Sequence, residues 1–458
     1  MKQHSHKLAL QGGPKAVVRM TGKPQPKIGV EEFLSLANRF GFSAAAMKKL
    51  RKSLTNKDLA PNGPHLGRYY GSANPSAGEQ FEALARKVFR TEHALAISSG
   101  TGALHAAFVG VGVGPGTEVV CPGLGFAATA MAVTLAGGVP VFCDVDESLH
   151  MDPSKIEASI TPRTVALAPT HHWGNVANMA PIMRIARRRG LKVVEDCAQS
   201  PGAKYRGQYV GTIGDAGCFS ISSYKIIGGG EGGMVVARDQ RIFERICQLA
   251  EGGGLWRNPR FGAPRYKGEL FPGTNYRLSE LESAVNVVQL GKLNDYVRRY
   301  RRASVRIRRQ LGNYAEIRPQ IINDRAGFIG YAIRFFPATF DLSRTVVEAL
   351  RAEGISASTR GEKHGPDWHM YRDMFPVVLR TGHIRGGSVF EDPRYTRRGG
   401  KATYQAGQCP VAEDLFAREV SIGVDQWYSD TDCDNIASGI NKVLAALCTP
   451  TPGKNRWM

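Results

Sequence analysis

AGEQFEALARKVFRTEHALAISSGTGALHAAFVGVGV, residues 77–113, is the stretch whose reading decides the fold. AGEQFEALARKVF carries apolar residues at helical period, ALAISSG reads as a buried strand, and TGALHAAFVGVGV reads as the next helix. Helix and strand in alternation are the pattern of an α/β domain. The alternation continues through EVVCPGL, ATAMAVTLAGG, VPVFCDV, the strand TVALAPTHH, the helix APIMRIARRRG and the strand LKVVEDCAQ. Strands that are apolar on both faces predict a mostly parallel central sheet covered by helices.

Beyond this domain, LSELESAVNVVQLGKLNDYVRRYRRASVRIRRQL (residues 278–311) keeps helical period over many turns and reads as a linking helix. FIGYAIRFFP, TVVEALRAEG and TDCDNIASGINKVLAALC then predict a smaller α+β domain over residues 312–448. Residues 1–60 read as an N-terminal arm, leading through PNGPHLGRYYG into a large domain over 61–311 that includes the linking helix. Residues 449–458 read as a loose tail. A chain of 458 residues is long enough for such a large and small pair.

Composition narrows the class. Hydrophobic residues make up 42% and charged residues 22%, ordinary values for a soluble globular protein. The opening MKQHSHKLALQGGPKAV lacks the apolar core of a signal peptide, and no run of 18 apolar residues occurs, so a cytoplasmic protein without a membrane partner is expected. The eight cysteines form no CxxC pair and mostly sit in apolar runs, which predicts buried thiols, no disulfides and no metal site. The net charge of +20 is dispersed over RKVFR, RIARRRG, VRRYRRASVRIRR and RYTRRGGK. It reads as solvated helix faces with some attraction for an anionic substrate or cofactor, and no nucleic-acid motif accompanies it.

Four segments carry candidate chemistry. GVGVGPG (110–116) has the glycines of a dinucleotide loop, but it closes a helix and precedes a strand, the reverse of what that fingerprint requires. SSGTGALH (98–105) sits where a strand ends and a helix begins, so free N–H groups there can meet a phosphate; a merely capped helix start is the other reading. VVEDCAQS puts Glu195 and Asp196 at the carboxyl end of an apolar strand, where open α/β sheets bind ligands; a helix-capping carboxylate is the alternative. GCFSISSYKIIGGGEGGMVV (217–236) places Ser220 five residues before Lys225 and a glycine-rich loop after it, while the plain reading is a surface lysine in a hairpin. The last three supply an amine, an acid and a phosphate cup, and Phe126 in GLGFAATA adds an aromatic platform. Those are the needs of pyridoxal 5′-phosphate (PLP).

The ordered set SSGTGAL, PGLGFAATAMAV, THHWGNVANM, VVEDCAQSPGA, GTIGDAGCFSISSYK, GGGEGGMVV and TNYRLSELESAV resembles the DegT/StrS sugar aminotransferases over nearly the whole chain. The resemblance implies a fold-type I PLP-dependent transferase in which Lys225 holds PLP as a Schiff base and Asp196 pairs with the pyridinium nitrogen. It places Gln199 near the cofactor's phenolic oxygen, Phe126 on the ring, and Gly100, Thr101, Gly102 and Ser220 around the phosphate. Asn275 would reach the partner subunit's cofactor, giving a homodimer with shared sites; read without a partner, Asn275 would instead cap the helix that follows. The implied reaction moves an amino group from glutamine or glutamate to a keto group of a cyclic polyol or sugar, by ping-pong kinetics. KIIGGGEGG resembles members that act on inososes or make aminohydroxybenzoate more than the NLGAYGDGG pattern of many nucleotide-sugar enzymes. A dehydrating, eliminating or aromatising family member, or a non-catalytic regulatory relative, is the alternative; Lys225 stands where the sugar 3-dehydrases have histidine. His171 and His172, being adjacent in an extended stretch, are expected to diverge rather than chelate one metal.

Overall fold

The computed structural model describes residues 7–22, 26–60, 64, 66, 67, 75–253, 269–360, 365–384 and 386–458. PNGPHLGRYYG, expected to lead out of the arm, lies largely outside them, as does most of the segment before Leu270. The chain divides into two compact units, the first running through Leu66. That unit holds helices α1 (Val30–Arg39) and α2 (Ala44–Ser53); the Ser43 hydroxyl caps α2 by accepting the Ala46 N–H.

In the second unit, α3 (Ala77–Phe89) begins with a reciprocal cap in which Ser76 Oγ accepts the Glu79 N–H and the Glu79 carboxylate accepts the Ser76 N–H. Next come β1 (His93–Ile97), α4 (Gly100–Gly110), β2 (Glu118–Pro122), α5 (Ala128–Leu135), β3 (Val139–Cys143), α6 (Ile156–Ser159), β4 (Thr164–Leu167), α7 (Met179–Arg189) and β5 (Lys192–Asp196). A small hairpin of β6 (Lys204–Tyr205) and β7 (Gln208–Tyr209) precedes β8 (Ala216–Ser220) and β9 (Gly233–Ala237). Helices α8 (Gln240–Ala250) and α9 (Glu280–Arg309) close this half. The seven-stranded sheet has the order β1-β9-β8-β5-β4-β2-β3; β9 runs antiparallel to both neighbours and every other pair is parallel. Its strands are buried almost throughout and covered by helices on both faces, so the expected α/β fold is the one observed. TVALAPTHH is shorter as a strand than its apolar run suggested: it ends at Leu167, and only the bridge of Thr170 to Asp196 extends it.

The smaller sheet has the order β10-β11-β13-β12, all antiparallel, formed by β10 (Ile317–Pro319), β11 (Ala332–Pro337), β12 (Ala357–Thr359) and β13 (Val420–Gly423). Helices α10 (Phe340–Ala352) and α14 (Asp430–Leu447) share its core. Between β12 and β13 the chain leaves this sheet through the short helices α11 (Phe375–Val378), α12 (Pro393–Thr396) and α13 (Pro410–Ala417). That excursion packs into the core of the large sheet, where Met370, Tyr371, Met374, Tyr395 and Cys409 are buried beside Phe108, Val119 and Phe142. A boundary at residue 312 therefore separates the two sheets but not the packing. Residues 449–458 are not loose: Trp457 is 1% exposed, its indole N–H donates to Gly312 O and its ring meets Phe335 edge-on.

Candidate active site

Lys225 lies in the loop between β8 and β9, its N–H donating to Ser222 O. The glycines that follow allow this loop to fold back on itself: a Cβ on Gly228 would come within 2.2 Å of Ser222 O, and Gly230, at φ +140°, would meet the Glu282 carboxylate on α9 at 2.5 Å. Burial pushes the Lys225 amine below the usual lysine range, and the Asp196 charge pulls the other way. Lys225 thus sits close enough to Asp196 to feel it. It lines a cavity of about 320 Å³ with Trp173, Gln199, Tyr300, Tyr331 and Val424.

Asp196 ends β5, 3% exposed; Oδ2 accepts the Thr129 hydroxyl at 2.6 Å and Oδ1 accepts the Ala198 N–H at 3.0 Å. Thr129 lies in the first turn of α5, three residues after Phe126, whose carbonyl accepts the Thr129 N–H. Phe126 is 46% exposed, an apolar ring left at the surface with one face toward His369 at 5.4 Å. At the start of α4, Ser99 Oγ accepts the Gly102 N–H, while the Gly100 and Thr101 N–H groups occupy helix positions with no intrahelical acceptor. Ser220 faces them across the sheet end: a Cβ on Gly100 would come within 2.9 Å of Ser220 Cβ. The Ser220 hydroxyl is 9% exposed and has only a 3.5 Å approach to Ser222, too long to satisfy it. Free helix N–H groups, a glycine that leaves room and an underused buried hydroxyl form a cradle suited to a phosphate.

Gln199 enters the cavity with Oε1 accepting the Trp173 N–H at 3.2 Å and its carbonyl accepting the Tyr331 hydroxyl at 3.1 Å. Contacts thus tie Asp196 to Thr129 and Phe126, Phe126 to His369, His369 to Gln199, and Gln199 to the Lys225 cavity; Gly100 and Ser220 form the cradle. Asn275 stands apart. It is exposed, its side chain accepts the Arg277 N–H, and it does not cap α9, because Ser279 does so through the Glu282 N–H. Its neighbour Tyr276 runs past the cradle, with its ring 3.4 Å from a Cβ on Gly102 and its hydroxyl 3.0 Å from His105 Nδ1.

Among the described residues, His171, Glu195 and Cys197 are the one set whose ligand atoms lie near enough to share a metal ion, within 4.8 Å. Each is otherwise engaged. Glu195 accepts from His171 Nε2 and from the Gly211, Ile213 and Gly214 N–H groups, at 2.7–3.0 Å. His171 Nδ1 accepts the Ala177 N–H, and burial holds the Cys197 thiol well above its usual range and hence protonated. His172 diverges from His171 as expected, with Nε2 donating to Leu124 O at 2.7 Å. A larger groove of about 1010 Å³ runs along α9 under Arg298, Arg301, Arg302, Arg306 and Arg309. Asp295, Asp430 and Asp434 pair with three of these arginines, and no candidate nucleophile lines it beyond Lys204 and Tyr209, which stack on each other. The VRRYRRASVRIRR run is thus mostly a paired, solvated helix face.

Thr129, Trp173, Tyr300, Tyr331 and the pair Asp367–His369 escaped the sequence reading. Thr129 and Trp173 lie inside motifs that it did quote. The others carry no local signal.

The profile of the DegT/DnrJ/EryC1/StrS aminotransferase family matches residues 73–376. The chain belongs to this family. Among members of the DegT/DnrJ/EryC1/StrS family, a UDP-N-acetyl-3-dehydro-alpha-D-glucosamine 3-aminotransferase of Acidithiobacillus ferrooxidans is 36% identical, covering 83% of this chain and 92% of that one. An L-glutamine:2-deoxy-scyllo-inosose aminotransferase of Streptomyces paromomycinus is 34% identical over 87% of this chain and 92% of its own. A GDP-perosamine synthase of Caulobacter vibrioides is 39% identical, but the match spans 48% of this chain and 57% of that relative. Among solved structures, 3-amino-5-hydroxybenzoic acid synthase superposes with a TM-score of 0.64 at 25% identity, covering 81% and 91% of the two chains. DesV of S. venezuelae superposes with a TM-score of 0.63 at 26% identity, covering 92% and 98%. By family, the chain is an aminotransferase.

Proposed function

We propose that this chain is a PLP-dependent aminotransferase that moves an amino group from glutamine or glutamate to a ring ketone of a cyclitol or sugar, with Lys225 as cofactor anchor and proton carrier. The observation that carries the reading is the partly desolvated Lys225 amine that feels the buried Asp196 carboxylate at the carboxyl end of β5, with Ser220 of the cradle at the end of the neighbouring strand β8. The donor set fits PLP in each part. Gly100, Thr101, Gly102 and Ser220 would hold the phosphate, Phe126 would face the ring, Gln199 would donate to the phenolic oxygen, and Asp196 would meet the ring nitrogen.

When bound, PLP supplies an electron sink for the carbanion formed at the amino-acid Cα. Asp196 keeps the ring nitrogen protonated; its Thr129 and Ala198 contacts fix the carboxylate in place and leave lone pairs for that partner. Lys225 moves the proton to and from Cα. Desolvation favours its neutral, basic form, and Asp196 keeps that shift moderate. Trp173, Tyr300 and Tyr331 wall the cavity and limit water around the reacting carbon.

A homodimer with shared sites completes the proposal. Its support is the exposed apolar surface beside the site: Tyr224, next to Lys225, is 97% exposed, and Leu281 and Val288 on α9 lie open near Asn275. The inosose aminotransferases among the relatives and the KIIGGGEGG run favour a cyclitol acceptor and glutamine as donor. The deciding experiment is a product screen of keto-cyclitols and nucleotide-linked keto-sugars against glutamine and glutamate. Amination of an inosose above all nucleotide sugars is expected; loss of water without net nitrogen transfer would establish the dehydrating alternative.

A further inference from the structure

A segment far along the chain reaches back to the cofactor platform. The Gly125 N–H donates to His369 O and the Ala127 N–H to Trp368 O, each at 2.8 Å, and the Tyr371 N–H donates to Gly123 O. Residues 368–371, a tight turn leading into a 3-10 turn, thereby form a rail alongside the loop that carries Phe126. His369 projects from this rail between Phe126 and Trp173, with ring centroids at 5.4 and 5.8 Å.

The protonation of that imidazole is set by its neighbours. Asp367 Oδ1 lies 2.8 Å from His369 Nδ1 and also accepts the His369 N–H, while Arg360 Nη1 holds Asp367 Oδ2 at 2.7 Å. Burial raises the Asp367 carboxyl, but the His369 ring, the His369 N–H and Arg360 outweigh it and keep it well below the usual carboxylate range. A carboxylate only accepts, so Nδ1 carries a proton, and in the neutral ring Nε2 keeps a lone pair. The amide nitrogen of Gln199 lies 3.5 Å from Nε2, at the outer limit of a hydrogen bond. The His172 ring also interacts with the Gln199 side chain, while its Nε2 donates to Leu124 O. On the opposite side the Trp173 N–H holds Gln199 Oε1.

We propose that His369, oriented by Asp367 and Arg360, is a positioning residue that locks the Gln199 amide with its nitrogen toward the cavity, so that Gln199 acts as a hydrogen-bond donor there. An amide has nearly the same shape when flipped, so only its neighbours decide which end faces a ligand. Here the His369 Nε2 lone pair faces the amide nitrogen and the Trp173 N–H donates to the amide oxygen. The consequence is a fixed donor for the phenolic oxygen of PLP, which rests on the cofactor reading above. A flipped amide would oppose oxygen to oxygen and raise the basicity of the lysine-linked chromophore.

The test uses the holoenzyme and two readouts that do not depend on turnover, the dissociation constant of PLP and the pKa of the visible chromophore. His369→Asn retains a group that can reach Asp367 but removes the acceptor at Nε2, whereas His369→Gln restores an acceptor near that point. His369→Asn is expected to weaken PLP binding about tenfold and raise the chromophore pKa by about one unit, with His369→Gln recovering most of both. In a Gln199→Ala background, His369→Asn should change either readout less than about twofold, because the residue acts through Gln199. An unchanged chromophore and affinity in a folded His369→Asn protein, or an equal effect in the Gln199→Ala background, overturns the proposal. If wild-type protein with PLP shows no visible band that Lys225→Ala removes, the cofactor reading falls and this inference with it; if the band is present, only the positioning role is at stake.

Discussion

Glu195 and Asp196 are consecutive carboxylates at the end of one buried strand, and they face opposite sides of the sheet. Glu195 is fully enclosed and accepts four hydrogen bonds, from His171 and from three N–H groups of the 211–214 turn, which fill its capacity. Asp196 accepts two, from Thr129 and the Ala198 N–H, and keeps lone pairs on the side where Lys225 and Phe126 lie. One carboxylate is saturated and ties a loop to the sheet; the other is held rigid and left incomplete. The same chemical group a single residue apart is thus a structural clamp or a reactive partner according to how many of its acceptor sites the fold has already used.

Breaking the reactive side gives the largest effect. Lys225→Ala should abolish transamination and the borohydride-sensitive band while the melting temperature stays within a few degrees, since a half-buried amine is lost and not core volume; activity within tenfold of wild type would end the assignment. Asp196→Asn should retain PLP but cut turnover roughly 1000-fold, because an amide cannot hold a protonated ring nitrogen. A rate near wild type with an unchanged spectrum would return Asp196 to the structural class of Glu195.

Glu195→Gln should do the opposite. It turns a donor group toward backbone N–H groups and should cost about 2–4 kcal/mol of stability in urea unfolding, with activity per folded molecule within a few-fold of wild type. Loss of activity in EDTA with recovery on adding zinc would show instead that Glu195, His171 and Cys197 bind metal.

The histidines behind this wall sharpen the comparison through pH. Burial lowers His172 to about 3 and also holds His150 well below its usual range. A histidine depressed in the folded state takes up its proton on unfolding, so its stabilisation is complete above about pH 6.5 and declines as pH falls toward the folded value. His172 should contribute about 1.4 kcal/mol per pH unit to the loss between pH 6 and 4. His172→Gln should remove about one histidine's share of that slope in urea titrations, and an unaltered slope would mean that His172 is not buried neutral.

The smallest effect concerns Asn275. Asn275→Ala should leave α9 intact, because Ser279 is its cap, and weaken PLP retention only several-fold. Mixing Lys225→Ala with Asn275→Ala subunits should restore activity above either parent if sites are shared; no recovery in heterodimers confirmed by mass would confine Asn275 to its own subunit.

Much of this was legible in the sequence because it is written locally. The strand ends at Ser98 and Asp196, the glycine loop after Lys225 and the apolar runs of the parallel sheet each follow from neighbours in sequence. The alternative reading of Asn275 as the cap of α9 fails, because Ser279 four residues later is the cap; cap propensity alone cannot choose between them because both residue types serve. The course of residues 365–417 was not legible at all: its helices are only four to eight residues long, too short for periodicity, and its partners lie in β2, β3 and α5. Asp367 and His369 look like an ordinary surface pair until the rail brings them to Gln199. Trp457 was missed for a related reason, as a terminal tryptophan has no periodic context to mark it as core.

The rail at residues 368–371 also sets an order of events during synthesis. Phe126 is among the early residues to leave the ribosome, yet the hydrogen bonds that steady its loop come from residues roughly 240 positions later, a separation that makes their closure a late step. A nascent chain can build most of the parallel sheet before that, with Lys225 already in place, but its ring platform stays unsupported until the excursion has emerged and docked. If the chain holds PLP as proposed, cofactor capture is deferred to a nearly finished polypeptide, and chains truncated before residue 368 should fold their sheet without becoming competent to hold it.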